Sequence, residues 1–368
     1  MKKYIIIALT ALAASVACSK VETAAPQREI SFEVANSLQT KAFTGSVYSN
    51  GAFGTYAWFN DTDDFMVNEQ VNLAGGVWKT VDNTYYWPKT GSVSFISYSP
   101  FEGTSNTAGT TPVVEKDKIT YTGVAAGTTD LMYADKATCS NNVDEVEDGT
   151  NSYTGVPTIF RHALAKLSFK VMANFIEWDD ASTGSHTEWE ITLNSFKIKG
   201  FNTTGDLELN LNGDGKSWDK PVTTVDGVNY NVWTNVSGAT ADQELVAAPL
   251  TLTTSAQDLA SATGFVLPQV LTAGVQTVDV DIDIKTTLAN GNVITENFAK
   301  TINISEISTL KAWQMNENIV YTIKFKPTAH STDPGVTPHD DDPEDVIIKF
   351  DPAVADWTNV DASATIQL

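Results

Sequence analysis

Residues able to do chemistry are thinly spread along this chain. It holds four histidines (His162, His186, His330, His339) and two cysteines (Cys18, Cys139) in 368 residues. So few imidazoles and thiols exclude a dense histidine metal centre and any CxxC zinc framework. No GxSxG elbow, HExxH pair or glycine-rich phosphate loop occurs, and the chain is read as non-enzymatic. Cys139 has no histidine near it in sequence and reads as an inert residue. Asn210-Leu211-Asn212-Gly213-Asp214-Gly215 places oxygen ligands at positions one, three and five, with Gly at six, like the first half of an EF-hand loop. Position twelve is Pro221, where a bidentate Glu is required, so the run reads as a hairpin turn. Asp279, Asp281 and Asp283, and the run Asp340 to Asp342 beside His339, read as solvated surfaces. No metal and no cofactor is expected.

The thiol with a clear chemical role is at the N-terminus. Lys2 and Lys3 precede an apolar run from Tyr4 to Leu12, then small residues lead to Val16-Ala17-Cys18. The run is too short for a permanent membrane span, which takes about 20 apolar residues. Residues 1–17 therefore read as a cleaved signal peptide. Val16-Ala17-Cys18 resembles the end of a lipobox, with Ser15 where an aliphatic is usual. In that reading Cys18 is acylated and becomes the mature N-terminus, followed by a linker over 18–27. The alternative is ordinary signal cleavage with an incidental cysteine.

The elements that carry these residues are strands. Ile30, Phe32 and Val34 alternate with Ser31 and Glu33; Leu167, Phe169 and Val171 alternate with lysines and Ser168. Val278 to Ile284 sets aliphatics on one face and carboxylates on the other. Period-two alternation punctuated by Gly, Asn, Asp and Pro is the signal of half-buried antiparallel strands. Weak helical candidates occur near Asp258 to Ala262 and Glu306 to Trp313. The fold is read as mainly β. An excess of 45 acidic over 23 basic residues gives a net charge of −22, which excludes nucleic acid as a partner.

A polar, acidic run from Ser140 to Gly155 suggests a boundary near residue 157, giving domains 28–157 and 158–368. Residues 327–345 carry Pro327, Pro334, Pro338 and Pro343 with the aspartate run, and read as a connector. Beyond it, in 346–368, the apolar Val360, Ala362, Ala364, Ile366 and Leu368 alternate strictly with polar residues up to the last position. Such a strand either pairs within its own sheet or adds to the sheet edge of another molecule.

Five blocks, in order, resemble the fimbrillin family, the subunits of type V pili in Bacteroidetes. They are Thr40-Lys41-Ala42; Trp78 with Tyr85-Tyr86-Trp87-Pro88 and Val93 to Pro100; Asp130 to Ala134; Phe160 to Leu167; and Ser195 through Thr203-Thr204-Gly205 to Leu211. The resemblance implies two tandem transthyretin-like antiparallel β-sandwich domains on a lipoprotein precursor at the outer membrane. It implies further that a trypsin-like protease cuts after a basic residue following the first strand. The loss of that strand leaves an apolar groove, which the C-terminal strand of a neighbouring pilus subunit fills. On this chain the displaced strand carries Ile30, Phe32 and Val34, and the cut falls after Lys41. Arg28 is the second candidate, but a cut there leaves the strand attached. The donor residues are Val360, Ala362, Ala364, Ile366 and Leu368. The implied partners are other pilus subunits, in a homo- or heteropolymer, and host or bacterial surface ligands.

Two alternatives belong to other classes. The basal anchor subunit keeps its first strand and its lipid. A non-polymerising surface lipoprotein would bind glycan or host protein, for which Trp58, Phe59, Trp78, Tyr85, Tyr86 and Trp87 could form an aromatic platform.

Overall fold

The computed structural model describes residues 29–35, 51–101, 111–125, 127, 129–140, 155–174, 176–180, 184–239, 243–259, 264–307, 310–326 and 358–367. The first strands are β1 (Phe32–Ala35), β2 (Ala52–Phe59), β3 (Asp63–Ala74), β4 (Val77–Thr80), β5 (Val93–Ser99), β6 (Val113–Glu115), β7 (Lys118–Ala125), β8 (Met132–Ala134) and β9 (Ala137–Cys139). There follow β10 (Val156–His162), β11 (Ala165–Ala173), β12 (Glu177–Asp180), β13 (Ser185–Lys199), β14 (Asn202–Leu211), β15 (Trp218–Asp219), β16 (Val222–Val225), β17 (Val228–Asn231) and β18 (Thr234–Ala239). The rest are β19 (Gln243–Glu244), β20 (Leu250–Thr251), β21 (Gln257–Asp258), β22 (Gly264–Val266), β23 (Gln269–Val270), β24 (Thr277–Thr287), β25 (Val293–Asn303), α1 (Ile304–Ile307), β26 (Ala312–Trp313), β27 (Glu317–Lys326) and β28 (Thr358–Gln367). The architecture is mainly β, with one four-residue helix among the described residues. Of the first weak helical candidate, residues 260–262 lie outside the described residues, as do residues 308 and 309 of the second. Gln257 and Asp258 lie in β21, whereas Glu306 and Ile307 form the end of α1 and Ala312–Trp313 is strand.

The first sheet closes on itself. Its pairings run β2–β3, β3–β4, β4–β1, β1–β10, β10–β8, β8–β5 and back through β5–β2, with β9 beside β5. Phe53, Val71, Phe95, Phe160, Ile30, Phe32 and Val34 fill the inside of this ring. The alternation of β5 explains why that strand is buried on both faces. Val93 and Phe95 point into the ring, whereas Ile96 and Tyr98 point out to a second core. That second core is roofed by the sheet β15-β14-β7-β6, with β18 paired to β14. Its β7 and β14 are hydrogen-bonded from Lys118↔Asn210 to Ala125↔Thr204, so strand pairing crosses position 157.

The third core lies between two further sheets. In one, β11 lies parallel to β27, and β27 parallel to β28; in the other, β13, β24 and β25 are antiparallel. Val278, Val280, Ile282 and Ile284 of β24 are buried in it, and Ile319, Tyr321, Ile323 and Phe325 of β27 face them from the opposite sheet. Asp279, Asp281 and Asp283 take the outer face, as period two requires.

Candidate functional site

The seat of β1 lies between β4 and β10 of the first sheet. Four residues of β1 run parallel to β10, from Phe32↔Val156 to Ala35↔Ile159. On the other flank, β1 meets β4 antiparallel at Phe32↔Trp78, and Glu29 bridges to Tyr86. The Ile30 N–H donates to the Tyr85 carbonyl and the Val156 N–H to the Ser31 carbonyl, both at 2.8 Å. Against this short ladder stands deep side-chain burial: Ile30, Phe32 and Val34 are 1%, 4% and 6% exposed. Burying side chains of this size contributes about 1.5–3 kcal/mol each. Side chains, more than backbone, hold β1 in the ring.

Phe32 is the centre of an aromatic nest. Its ring stands edge-on to Phe53 at 5.6 Å and 85°, and to Phe95 at 5.8 Å and 87°. Phe53 meets Phe160 at 5.4 Å and Trp78 at 5.7 Å, and Trp87 meets Phe95 at 5.9 Å. Gly155 adds a steric condition. A β-carbon there would lie 2.8 Å from the Ser31 carbonyl oxygen and 2.9 Å from the Phe32 carbonyl carbon. The backbone of β1 rests directly on this glycine. Sequence reading did not single out Gly155; its signal is a glycine directly before the strand that opens at Val156.

The other candidate residues fall in several places. Cys18, Arg28, Lys41 and Leu368, together with the segments 1–28 and 327–357, lie outside the described residues. Val360, Ala362, Ala364 and Ile366 stand on β28, in register with Ile319, Tyr321, Ile323 and Phe325 of β27 in the same chain. The terminal strand thus lies along its own sheet here.

The six aromatics form no exposed platform. Trp58 and Trp87 are buried, and Phe59, Trp78 and Tyr85 pack against the ring core; Tyr86 is exposed. Tyr85 donates its hydroxyl to Glu69 at 2.8 Å, and burial together with this carboxylate pushes its pKa up to about 12. The oxygen-rich runs are satisfied internally. Asp214 accepts the N–H groups of Ser217 and Lys216 and the Ser217 hydroxyl, which hold its pKa down to about 2. Asp279 pairs with Lys199 at 2.7 Å and accepts from Thr301; Asn297 donates to Asp281 and Asp283. Among the described residues no cluster of His, Cys, Asp and Glu could hold a metal ion. Burial pushes the Cys139 thiol up to about 11, which favours the thiol over the thiolate at neutral pH.

A buried cation ties the ring to its roof. The Lys136 ammonium donates to Asp61 at 2.8 Å and to Asp117 at 3.2 Å, one carboxylate between β2 and β3 and the other between β6 and β7. Arg161 of β10 grips Asp135 with two hydrogen bonds, at 2.8 and 2.6 Å.

Comparison with known proteins adds a family. Among solved structures, the chain is similar to a fimbrial protein from Bacteroides vulgatus ATCC 8482, at 15% identity over 82% of this chain and 95% of that one, with a TM-score of 0.51. It is also similar to a candidate cell adhesion protein from Bacteroides uniformis ATCC 8492, at 20% identity over 80% of this chain and 93% of that one, with a TM-score of 0.43. At this identity the first likeness bears on the fold alone. No curated protein matches the chain. The family profile described as fimbrillin-like matches residues 40–357, and the chain belongs to the fimbrillin-like family.

Proposed function

We propose that this chain is a structural subunit of a cell-surface pilus, made as an exported lipoprotein precursor acylated at Cys18, and that it contributes to adhesion. The observation that carries the reading is the place of β1. A strand of four residues closes the ring, while its apolar side chains fill the ring's centre. A cut after Lys41 by a trypsin-like protease would separate β1 from β2 in sequence. Its departure would bare Phe53, Phe95, Phe160 and Trp87, together with the amide and carbonyl groups of Val156 to Ile159. Unpaired backbone groups and exposed aromatics are both costly, so the seat would take another strand. The C-terminal strand of a neighbouring subunit supplies alternate apolar residues and a full backbone ladder. In this reading the ring with its roof, and the sandwich built from β11 and β27 against β13, β24 and β25, are two transthyretin-like domains in tandem.

The test is limited trypsin digestion of the mature protein, with N-terminal sequencing and native sizing. An early cut after Lys41 is expected, after which the β1 fragment leaves its seat when a competing strand is supplied. A cut after which no added strand displaces the β1 fragment overturns the reading.

One observation favours a second reading. The β28 ladder with β27 runs over ten residues within one chain, the arrangement of a strand that belongs to its own sheet. A subunit that never releases this strand accepts a neighbour without donating, or does not polymerise and binds surface ligands. Deleting 356–368 separates the two: a folded product that accepts but cannot donate supports the pilus subunit, and loss of the fold supports the second reading.

A further inference from the structure

The shape of the β1 seat specifies its occupant, and this chain's own C-terminus does not match it. This step rests on the proposal that β1 leaves and is replaced. The seat has three successive side-chain positions, filled by Ile30, Phe32 and Val34. The middle one is the aromatic nest of Phe53 and Phe95, which meet the Phe32 ring edge-on. Edge-to-face contacts of this kind add to simple area burial, and an aliphatic side chain cannot make them.

Register along the seat is not free. Gly155 admits the backbone of Ser31 and Phe32 with no room for a β-carbon, and the Val156 N–H takes the Ser31 carbonyl. An incoming strand is therefore placed against Gly155 and Val156, and the residue that follows the accepting carbonyl enters the nest. A one-residue slip would turn its polar face inward.

The C-terminal strand, residues 358–368, offers Val360, Ala362, Ala364, Ile366 and Leu368 at alternate positions, and no aromatic at any position. Two of its three possible placements put alanine into the Phe32 position. The third sets Ala364, Ile366 and Leu368 in the seats of Ile30, Phe32 and Val34. Even there, an aliphatic side chain stands where the nest is built for a ring.

We propose that the seat selects a strand from a different polypeptide, one bearing an aromatic residue with aliphatic residues two positions before and after it. It discriminates against the C-terminus of a second copy of this chain. The subunit thus joins a mixed polymer, accepting a neighbour unlike itself.

The experiment uses the full mature chain with a specific protease site placed between Ala35 and Lys41, cut in solution so that the β1 fragment stays seated. Three peptides then compete for the seat: residues 29–36, residues 358–368, and residues 358–368 with Ile366→Phe. Release of the labelled β1 fragment is read by fluorescence anisotropy. The Ile366→Phe peptide is expected to displace it at a concentration about tenfold lower than the unaltered C-terminal peptide does. In a chain carrying Phe53→Leu that gap should narrow. Equal or better displacement by the unaltered C-terminal peptide overturns the proposal while leaving strand exchange intact. If even the 29–36 peptide fails to exchange, the seat is not an exchange site and the proposed function falls with it.

Discussion

Gly155 lies so close to Ser31 that a β-carbon on the glycine would stand 2.8 Å from the serine carbonyl oxygen. Since neither partner is the far end of a flexible side chain, the strain of a substitution falls on the β1 ladder itself. Gly155→Ala is expected to destabilise the protein by about 1–3 kcal/mol. The Val156 amide, which donates to Ser31, should lose protection before other ring amides do. Urea unfolding and hydrogen exchange read the two effects.

Phe32→Ala tests the nest itself. The ring it removes is 4% exposed and meets two other rings, so a loss of about 3–5 kcal/mol is expected. A loss below about 1 kcal/mol in calorimetry or urea unfolding would mean that β1 contributes little to the core.

Lys136 gives a pH-dependent prediction. Burial alone would raise the Asp61 carboxyl, but the hydrogen bond and charge of Lys136 outweigh it and hold the group below its ordinary 3.8. A depressed folded pKa means stabilisation that is present above 3.8 and lost as pH falls through the folded value. Lys136→Met should cost about 1–2 kcal/mol at pH 7, a modest figure because both carboxylates are half exposed and can rehydrate. The gap to the unaltered protein should shrink below about pH 4 in denaturation curves.

The Cys139 thiol should be silent in the folded state. With its pKa pushed up to about 11, alkylation at pH 8 should run about a hundredfold slower than in urea, followed by peptide mapping. Fast modification of the native protein would show that the strand β9 opens readily.

The edge strand β25 carries its own safeguard. Glu296 and Lys300 stand on its core-side face, in register with Ile284 and Val280, where the alternation would otherwise place apolar residues. Charges on the core-side face of an edge strand oppose pairing with another sheet. Replacing both, Glu296→Val with Lys300→Val, should produce concentration-dependent association in sedimentation velocity. A double variant that stays monomeric would show that these charges do not guard the edge.

Much of the sheet content was legible because burial in β11, β24 and β27 follows strict period two, a local property of the sequence. The inward set Ile30, Phe32 and Val34 could be read the same way. Ring closure could not, since it depends on β10 lying parallel to β1 and on Trp78 reaching Phe32, pairings far apart in sequence. Exposed and buried aromatics look alike in sequence, and here Trp58 and Trp87 proved to be core. The close approach at Gly155 is likewise invisible until a second strand is set beside it. The oxygen-rich turn at Asn210 to Gly215 was readable because its missing twelfth ligand is a matter of spacing.

The parallel course of β27 and β28 has a consequence for competition. Both strands start from the same end of their sheet and belong to one chain, paired over ten residues. Because the partner of β27 is covalently part of the same molecule, dilution cannot remove it. Any segment arriving from solution at the β27 edge competes against a strand whose local supply does not depend on protein concentration.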